Sequence, residues 1–253
     1  MVSDLAAAPG NSAPLELVDL HKRFGSQQAL AGLDLTIQRG TCYALLGPNG
    51  AGKTTTLNIL LGFLTPDQGR ARIDGVDVLA DPEGARRRLA YIPEQVQLYP
   101  RLTGFENLEY FHALGSTVAA DTDMLRDCLR RAGLADAAHD RRVATYSKGM
   151  RQKVGIAIAL ARRAPVMLLD EPTSGLDPQA AWELNASLRD LAGQGITILM
   201  ATHDLFRARE VASRIGILVA GRLRQDLDAD SVAGAELETL YLEEVRQLQG
   251  TGP

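Results

Sequence analysis

The chain has 253 residues, 45% of them hydrophobic and 23% charged, which is ordinary for a globular protein with a real core. Its net charge of −4, from 27 basic and 31 acidic residues, argues against a nucleic-acid binder, which would carry a basic excess or stripe. Two cysteines in unrelated contexts, Cys42 and Cys128, form no CxxC or Cys/His cluster, so neither a zinc site nor a disulfide framework is indicated.

Met1–Pro14 carries no basic region, and its apolar stretch is too short for a signal peptide, so a flexible tail is expected there. The best membrane-span candidate, Val154–Leu169, is broken by Arg162, Arg163 and Pro165. Apolar or alternating runs predict strands at Leu15–Leu20, Leu33–Ile37, Cys42–Leu46, Ala71–Ile73, Leu89–Ile92, Val166–Leu169, Ile196–Ala201 and Ile215–Val219. Helical spacing predicts helices at Thr55–Leu64, Gly104–Leu114, Asp123–Ala132, Lys148–Arg163, Pro178–Ala192 and Leu205–Val211.

The short link Gln38-Arg39-Gly40 suggests antiparallel pairing near the first loop, whereas later strands alternate with helices and imply a mostly parallel sheet. Residues 102–145 read as a small all-helical insertion, and the Arg pairs at 130–131, 141–142 and 162–163, with the triplet at 86–88, as solvated helix faces. After 227, an acidic stretch precedes Leu237, Leu240, Tyr241, Val245 and Leu248 at helical spacing, which predicts a final helix packed on the domain.

Residues 47–54, Gly-Pro-Asn-Gly-Ala-Gly-Lys-Thr, form a complete phosphate-binding loop between an apolar strand and a helix. Its glycines let the backbone curl so that successive N–H groups face one anion, and the helix start adds its dipole. Lys53 suits the β- and γ-phosphates, and the Thr54 hydroxyl suits a magnesium ion. A second signal is Val166-Met-Leu-Leu-Asp170-Glu171: a buried strand carries Asp170 to the carboxyl edge of the sheet, where α/β folds bind ligands. Asp170 can hold Mg²⁺, and Glu171 can orient or deprotonate a water attacking a phosphate. Ser147 is a good N-cap for the helix that follows, Asp177-Pro178 is an ordinary turn, and His203 follows a strand.

The order of these pieces resembles the ATP-binding-cassette ATPase family over roughly residues 15 to 225. Gly47–Thr54 looks like its Walker A loop, Val166–Asp170 its Walker B strand, Ser147 and Gly149 its signature motif, Ser174–Asp177 its D-loop and His203 its switch histidine. Tyr91–Pro100 looks like the Q-loop, and Phe24 matches the aromatic that stacks on adenine.

The resemblance implies an α/β P-loop NTPase fold, with a mixed-sheet core, an antiparallel β subdomain and an α-helical subdomain. It implies an ATPase domain over 15–227, with its helical part at about 102–145, and a C-terminal extension over 228–253. ATP would be held by Phe24, by Gly47, Pro48, Asn49, Gly50, Ala51, Gly52, Lys53, Thr54 and Thr55, by Glu94 and Gln95, and by Ser147, Gly149 and Asp177. Mg²⁺ would be held by Thr54, Asp170 and Glu94; Glu171, His203 and Lys53 would be catalytic.

Two departures stand out. In the signature, Lys148 and Met150 replace a Gly-like slot and the usual Gln; at the Q-loop, Glu94 stands where a Gln is usual, with Gln95 beside it, and the spacing leaves either as the acting residue. The wording Tyr-Ile-Pro-Glu, Tyr-Ser-Lys-Gly-Met and Leu-Glu-Thr-Leu-Tyr is similar to ATPase subunits of ABC-2-type exporters, including those encoded with copper-enzyme maturation systems. That similarity implies a second copy or homologue docked head to tail, a multi-spanning permease on a separate chain, and a place on the cytoplasmic face of the membrane. The alternative is a soluble member of the superfamily acting on ribosomes or DNA.

Overall fold

The computed structural model describes residues 13–115 and 121–249. Most of the expected tail lies outside them, as does the Leu248 side chain; Ala13 and Pro14 are described and are buried.

Strands β1 (Leu15–Phe24) and β2 (Gln27–Ile37) form an antiparallel hairpin. Together with β4 (Gln68–Ile73) and β5 (Val76–Asp77), they make a four-stranded antiparallel sheet in the order β2-β1-β4-β5. The second sheet contains β3 (Cys42–Leu46), β6 (Leu89–Ile92), β7 (Val166–Asp170), β8 (Thr197–Thr202), β9 (Arg214–Val219) and β10 (Arg222–Asp228). Its order is β10-β9-β3-β8-β7-β6, parallel except for the β9–β10 pair.

The antiparallel expectation at Gln38-Arg39-Gly40 is corrected. That link carries the chain from β2 in one sheet to β3 in the other, where β3 pairs in parallel with β8 and β9. The reason lies in the two patterns. On β2, Leu33, Leu35 and Ile37 point inward while Asp34 and Thr36 are exposed, as on a one-faced sheet. Every residue of β3 is buried, which only an interior strand covered on both faces allows. Cys42, Ala44 and Leu46 join one core cluster, and Tyr43 and Leu45 join the other. Burial pushes the Cys42 thiol up to about 12.

The helices are α1 (Lys53–Leu60), α2 (Pro82–Arg87), α3 (Gly104–Gly115), α4 (Thr122–Arg131), α5 (Asp136–His139), α6 (Lys148–Ala161), α7 (Pro178–Gly193), α8 (Leu205–Val211) and α9 (Gly234–Gln249). Among the described residues of 104–145 the regular structure is helical: α3, α4, α5 and a 3-10 turn at Val143–Thr145, with one isolated bridge joining Thr103 to Arg142. The paired arginines at 130–131, 141–142 and 162–163 are exposed. In α9, Leu237 is buried, and Leu240, Tyr241 and Val245 pack against the same core cluster.

Among the described residues, four elements escaped the individual sequence patterns: β5, β10, α2 and the one-turn α5. Strand β10 alternates exposed and half-buried residues along a charged sheet edge, so it lacks an apolar run. Helix α2 is short and is specified by its start: Asp81 caps it by accepting a hydrogen bond from Gly84 N, and Pro82 occupies the first turn.

Candidate nucleotide site

The carboxyl ends of β3, β7 and β8 lie side by side in the parallel sheet, and the expected chemistry converges on that edge. Loop 47–52 leaves β3 and enters α1, whose first residue is Lys53. Helix α1 has no side-chain cap, because its N-cap is Gly52, so its first N–H groups are left for an anion. Gly52 has φ +113, and a Cβ there would stand 2.6 Å from the Ala29 carbonyl oxygen. At Gly47 a Cβ would stand 2.3 Å from the Leu218 carbonyl oxygen, so the loop is packed against its neighbours at both ends.

The Lys53 ammonium reaches back across the loop, donating to the carbonyls of Gly47 at 2.5 Å and Pro48 at 3.1 Å. Burial lowers its pKa, while Glu171 and Asp170 work in the opposite direction. Thr54 is exposed at the rim, and Thr56 turns inward to bond the Gly52 carbonyl.

At the end of β7, burial and then the adjacent Glu171 carboxylate push Asp170 above the ordinary carboxylate range. Tyr91 Oη donates to Asp170 Oδ2 at 3.5 Å and is itself pushed up to about 12, by burial and then by Asp170. Glu171 sits in the left-handed backbone region, with φ 45, a conformation that costs energy for a residue with a side chain. Both its oxygens are engaged: Thr202 Oγ1 donates to Oε2 at 3.0 Å, and His203 Nδ1 lies 2.7 Å from Oε1. Its N–H bonds the Ala201 carbonyl at 2.9 Å, which ties it to β8.

A hollow of about 330 Å³ opens over these groups. It is lined by Phe24, Gln27 and Ala29 from the hairpin, by Pro48 to Thr55, and by Glu94, Asp170 and Glu171. Phe24 is half-exposed at the hairpin tip, with the Lys22 ammonium 5.6 Å from its ring centroid. Of the two Q-loop candidates, Glu94 lines this hollow, whereas Gln95 lines a second one of about 430 Å³ with Leu98, Val143 and Arg151.

Ser147, Gly149 and Asp177 do not line the nucleotide hollow. Ser147 Oγ caps α6 by accepting from Met150 N, Gly149 is buried with a Cβ position 3.1 Å from Ala180, and Asp177 caps α7 by accepting from Ala180 N. Sequence reasoning missed Thr202, Gln27 and Ala29, and gave Tyr91 only as the start of the Q-loop segment, without its bond to Asp170. Thr202 is the last residue of a buried strand, and only its place beside His203 hinted at a role.

The family profile described as "ABC transporter" matches residues 30–174. The daunorubicin resistance ATP-binding protein DrrA3 of Streptomyces coeruleorubidus is 40% identical over 234 residues, covering 90% of this chain and 73% of that protein. The Nod factor export ATP-binding protein I of Burkholderia lata is 40% identical over 211 residues, covering 83% of this chain and 69% of that protein. Among solved structures, the ATP-binding cassette MJ0796, a dimer in a post-hydrolysis state bound to ADP and Pi, superposes with a TM-score of 0.73 at 28% identity, covering 85% of this chain and 98% of that one. With its phosphate loop, Walker B strand and mixed sheet in this arrangement, the chain belongs to the ABC transporter family and is an ATP-binding, ATP-hydrolysing cassette.

Proposed function

We propose that this chain powers an exporter as its peripheral ATPase subunit, binding Mg-ATP in the hollow over Lys53 and hydrolysing it with Glu171. The observation that carries this reading is the convergence of loop 47–54, Asp170, Glu171 and His203 at one sheet edge. The loop N–H groups and the start of α1 bind the phosphates, and Lys53 exchanges the Gly47 and Pro48 carbonyls for phosphate oxygens. Phe24 stacks on the base. Thr54, Asp170 and Glu94 offer hard oxygen donors in the lining of the hollow, the donor type magnesium prefers. Among the described residues no cluster of three His, Cys, Asp or Glu can hold an ion alone, so magnesium would share its ligands with the phosphates. When bound, it offsets charge on the transferring phosphate.

Glu171 orients the attacking water and accepts its proton, held for that task by Thr202 and His203. Ser147, Gly149 and Asp177 serve the ATP held by a second copy docked head to tail; that none of them lines the hollow of their own chain, and the dimeric MJ0796 cassette, support this assignment. Residues 15–227 form the ATPase domain, with 102–145 as its helical part and 228–253 as an extension. Among the described residues no helix is long and apolar enough to cross a membrane, which fits a subunit that meets a multi-spanning permease from the cytoplasmic face. The export-related names of the relatives in Streptomyces and Burkholderia support the direction. Co-expression with a candidate multi-spanning permease tests the reading. Joint purification, with ATP turnover that rises in the complex, is the expected result; a chain that purifies alone contradicts it.

A further inference from the structure

The two departures from the family pattern touch each other. Lys148 Nζ lies 3.7 Å from Glu94 Oε1, and the same oxygen accepts a hydrogen bond from Ser174 Oγ at 2.9 Å. One turn further along α6, the buried Gln152 donates to the Glu94 carbonyl at 2.8 Å and the Pro93 carbonyl at 3.4 Å. Lys148 and Gln152 are four residues apart, on one face of the helix, so α6 grips residues 93–94 by main chain and side chain together.

The charge balance of the hollow gives this contact a purpose. Asp170, Glu171 and Glu94 all line it, and Lys53 is the cation among its lining residues. A third carboxylate beside a polyphosphate site raises the cost of bringing in an anion. The added charge at Glu94 has its counter-charge at the added Lys148.

We propose that Lys148 is a positioning residue for Glu94: its ammonium offsets the third carboxylate of the hollow and ties the start of α6 to the ATP site of its own chain. The proposal rests on the nucleotide reading above. Because Ser147 and Gly149 of the same helix start face the partner's ATP in that reading, occupancy of one site is transmitted to the helix that closes the other.

A double-mutant cycle on the full chain tests this, with the Mg-ATP dissociation constant as readout. Lys148→Gln is expected to weaken Mg-ATP binding about fivefold, the order of a half-exposed ion pair. Adding Glu94→Gln, which removes the charge but keeps an oxygen donor for magnesium, restores most of the loss, and Lys148→Arg stays near wild type. Additive effects overturn the proposal, as does Lys148→Gln binding like wild type, or a Lys148→Gln chain whose failure to fold is not repaired by Glu94→Gln. A wild-type chain that does not bind Mg-ATP instead sinks the nucleotide reading, so the two failures are distinguishable.

Discussion

Glu171 and His203 are joined by a 2.7 Å contact between Oε1 and Nδ1, while Thr202 holds the other carboxylate oxygen at 3.0 Å. A carboxylate only accepts, so Nδ1 carries the proton of this contact. The carboxylate is therefore fixed from both sides, on a backbone held at φ 45 by the Ala201 carbonyl. Strain of this kind persists where the surroundings enforce it.

If those two contacts position Glu171, removing either loosens the base without touching the nucleotide. Thr202→Val keeps the shape of the buried side chain and removes two hydrogen bonds of about 1 kcal/mol each, the one donated to Glu171 and the one accepted from Asp204 N. It should lower kcat several-fold, and His203→Ala about tenfold or more, with ATP affinity changed less than twofold in each. Steady-state turnover beside equilibrium nucleotide binding separates the two quantities.

Lys53 bonds two loop carbonyls at 2.5 and 3.1 Å, so it is already inside the concavity that a phosphate would enter. Charge-assisted hydrogen bonds contribute about 1.5–3 kcal/mol. Lys53→Ala should therefore cost roughly ten- to a hundredfold in ATP affinity, measured by titration calorimetry. Unchanged binding would contradict the assignment of the loop.

Much of this site was legible from the residues alone, because phosphate chemistry demands local patterns. Loop 47–54 and the buried Val166–Asp170 strand each announce themselves within a few residues. What was not legible depends on contacts between distant segments. Thr202 meets Glu171 from 31 residues away, and Glu94 rather than Gln95 faces the hollow because of how α6 grips the loop. The link at 38–40 misled for the same reason: its brevity suggests a hairpin, while the all-buried pattern of β3 requires the interior of another sheet.

Asp170 is held above the usual carboxylate range by burial and by Glu171. A raised folded-state pKa means that ionisation opposes folding: the penalty is full above the folded pKa and vanishes below the unfolded one. Asp170→Asn should raise the Tm of the nucleotide-free chain at neutral pH, and the gain should shrink as the pH falls through the carboxylate range. The same change should abolish magnesium-dependent turnover. Thermal melts across that pH window, beside turnover assays, read both effects.

Gly47 leaves no room for a methyl group, with the Leu218 carbonyl oxygen 2.3 Å from the Cβ position. Gly47→Ala should force the loop away from β9 and cost about 2 kcal/mol or more, a magnitude associated with overpacking. Gly50, with φ +80 and open space around it, should lose less from the same change. Paired denaturant unfolding of the two variants gives the comparison.

The central claim is that Glu171 drives hydrolysis in a site completed by a second copy. Glu171→Gln keeps the side chain's size but exchanges one accepting oxygen for an amide NH2 and removes the base, so turnover should fall at least about a hundredfold. Sedimentation of Glu171→Gln with and without Mg-ATP is the most direct measurement. The account predicts a dimer that accumulates with ATP and dissolves without it; a monomer that holds ATP, or turnover at the wild-type rate, would contradict it.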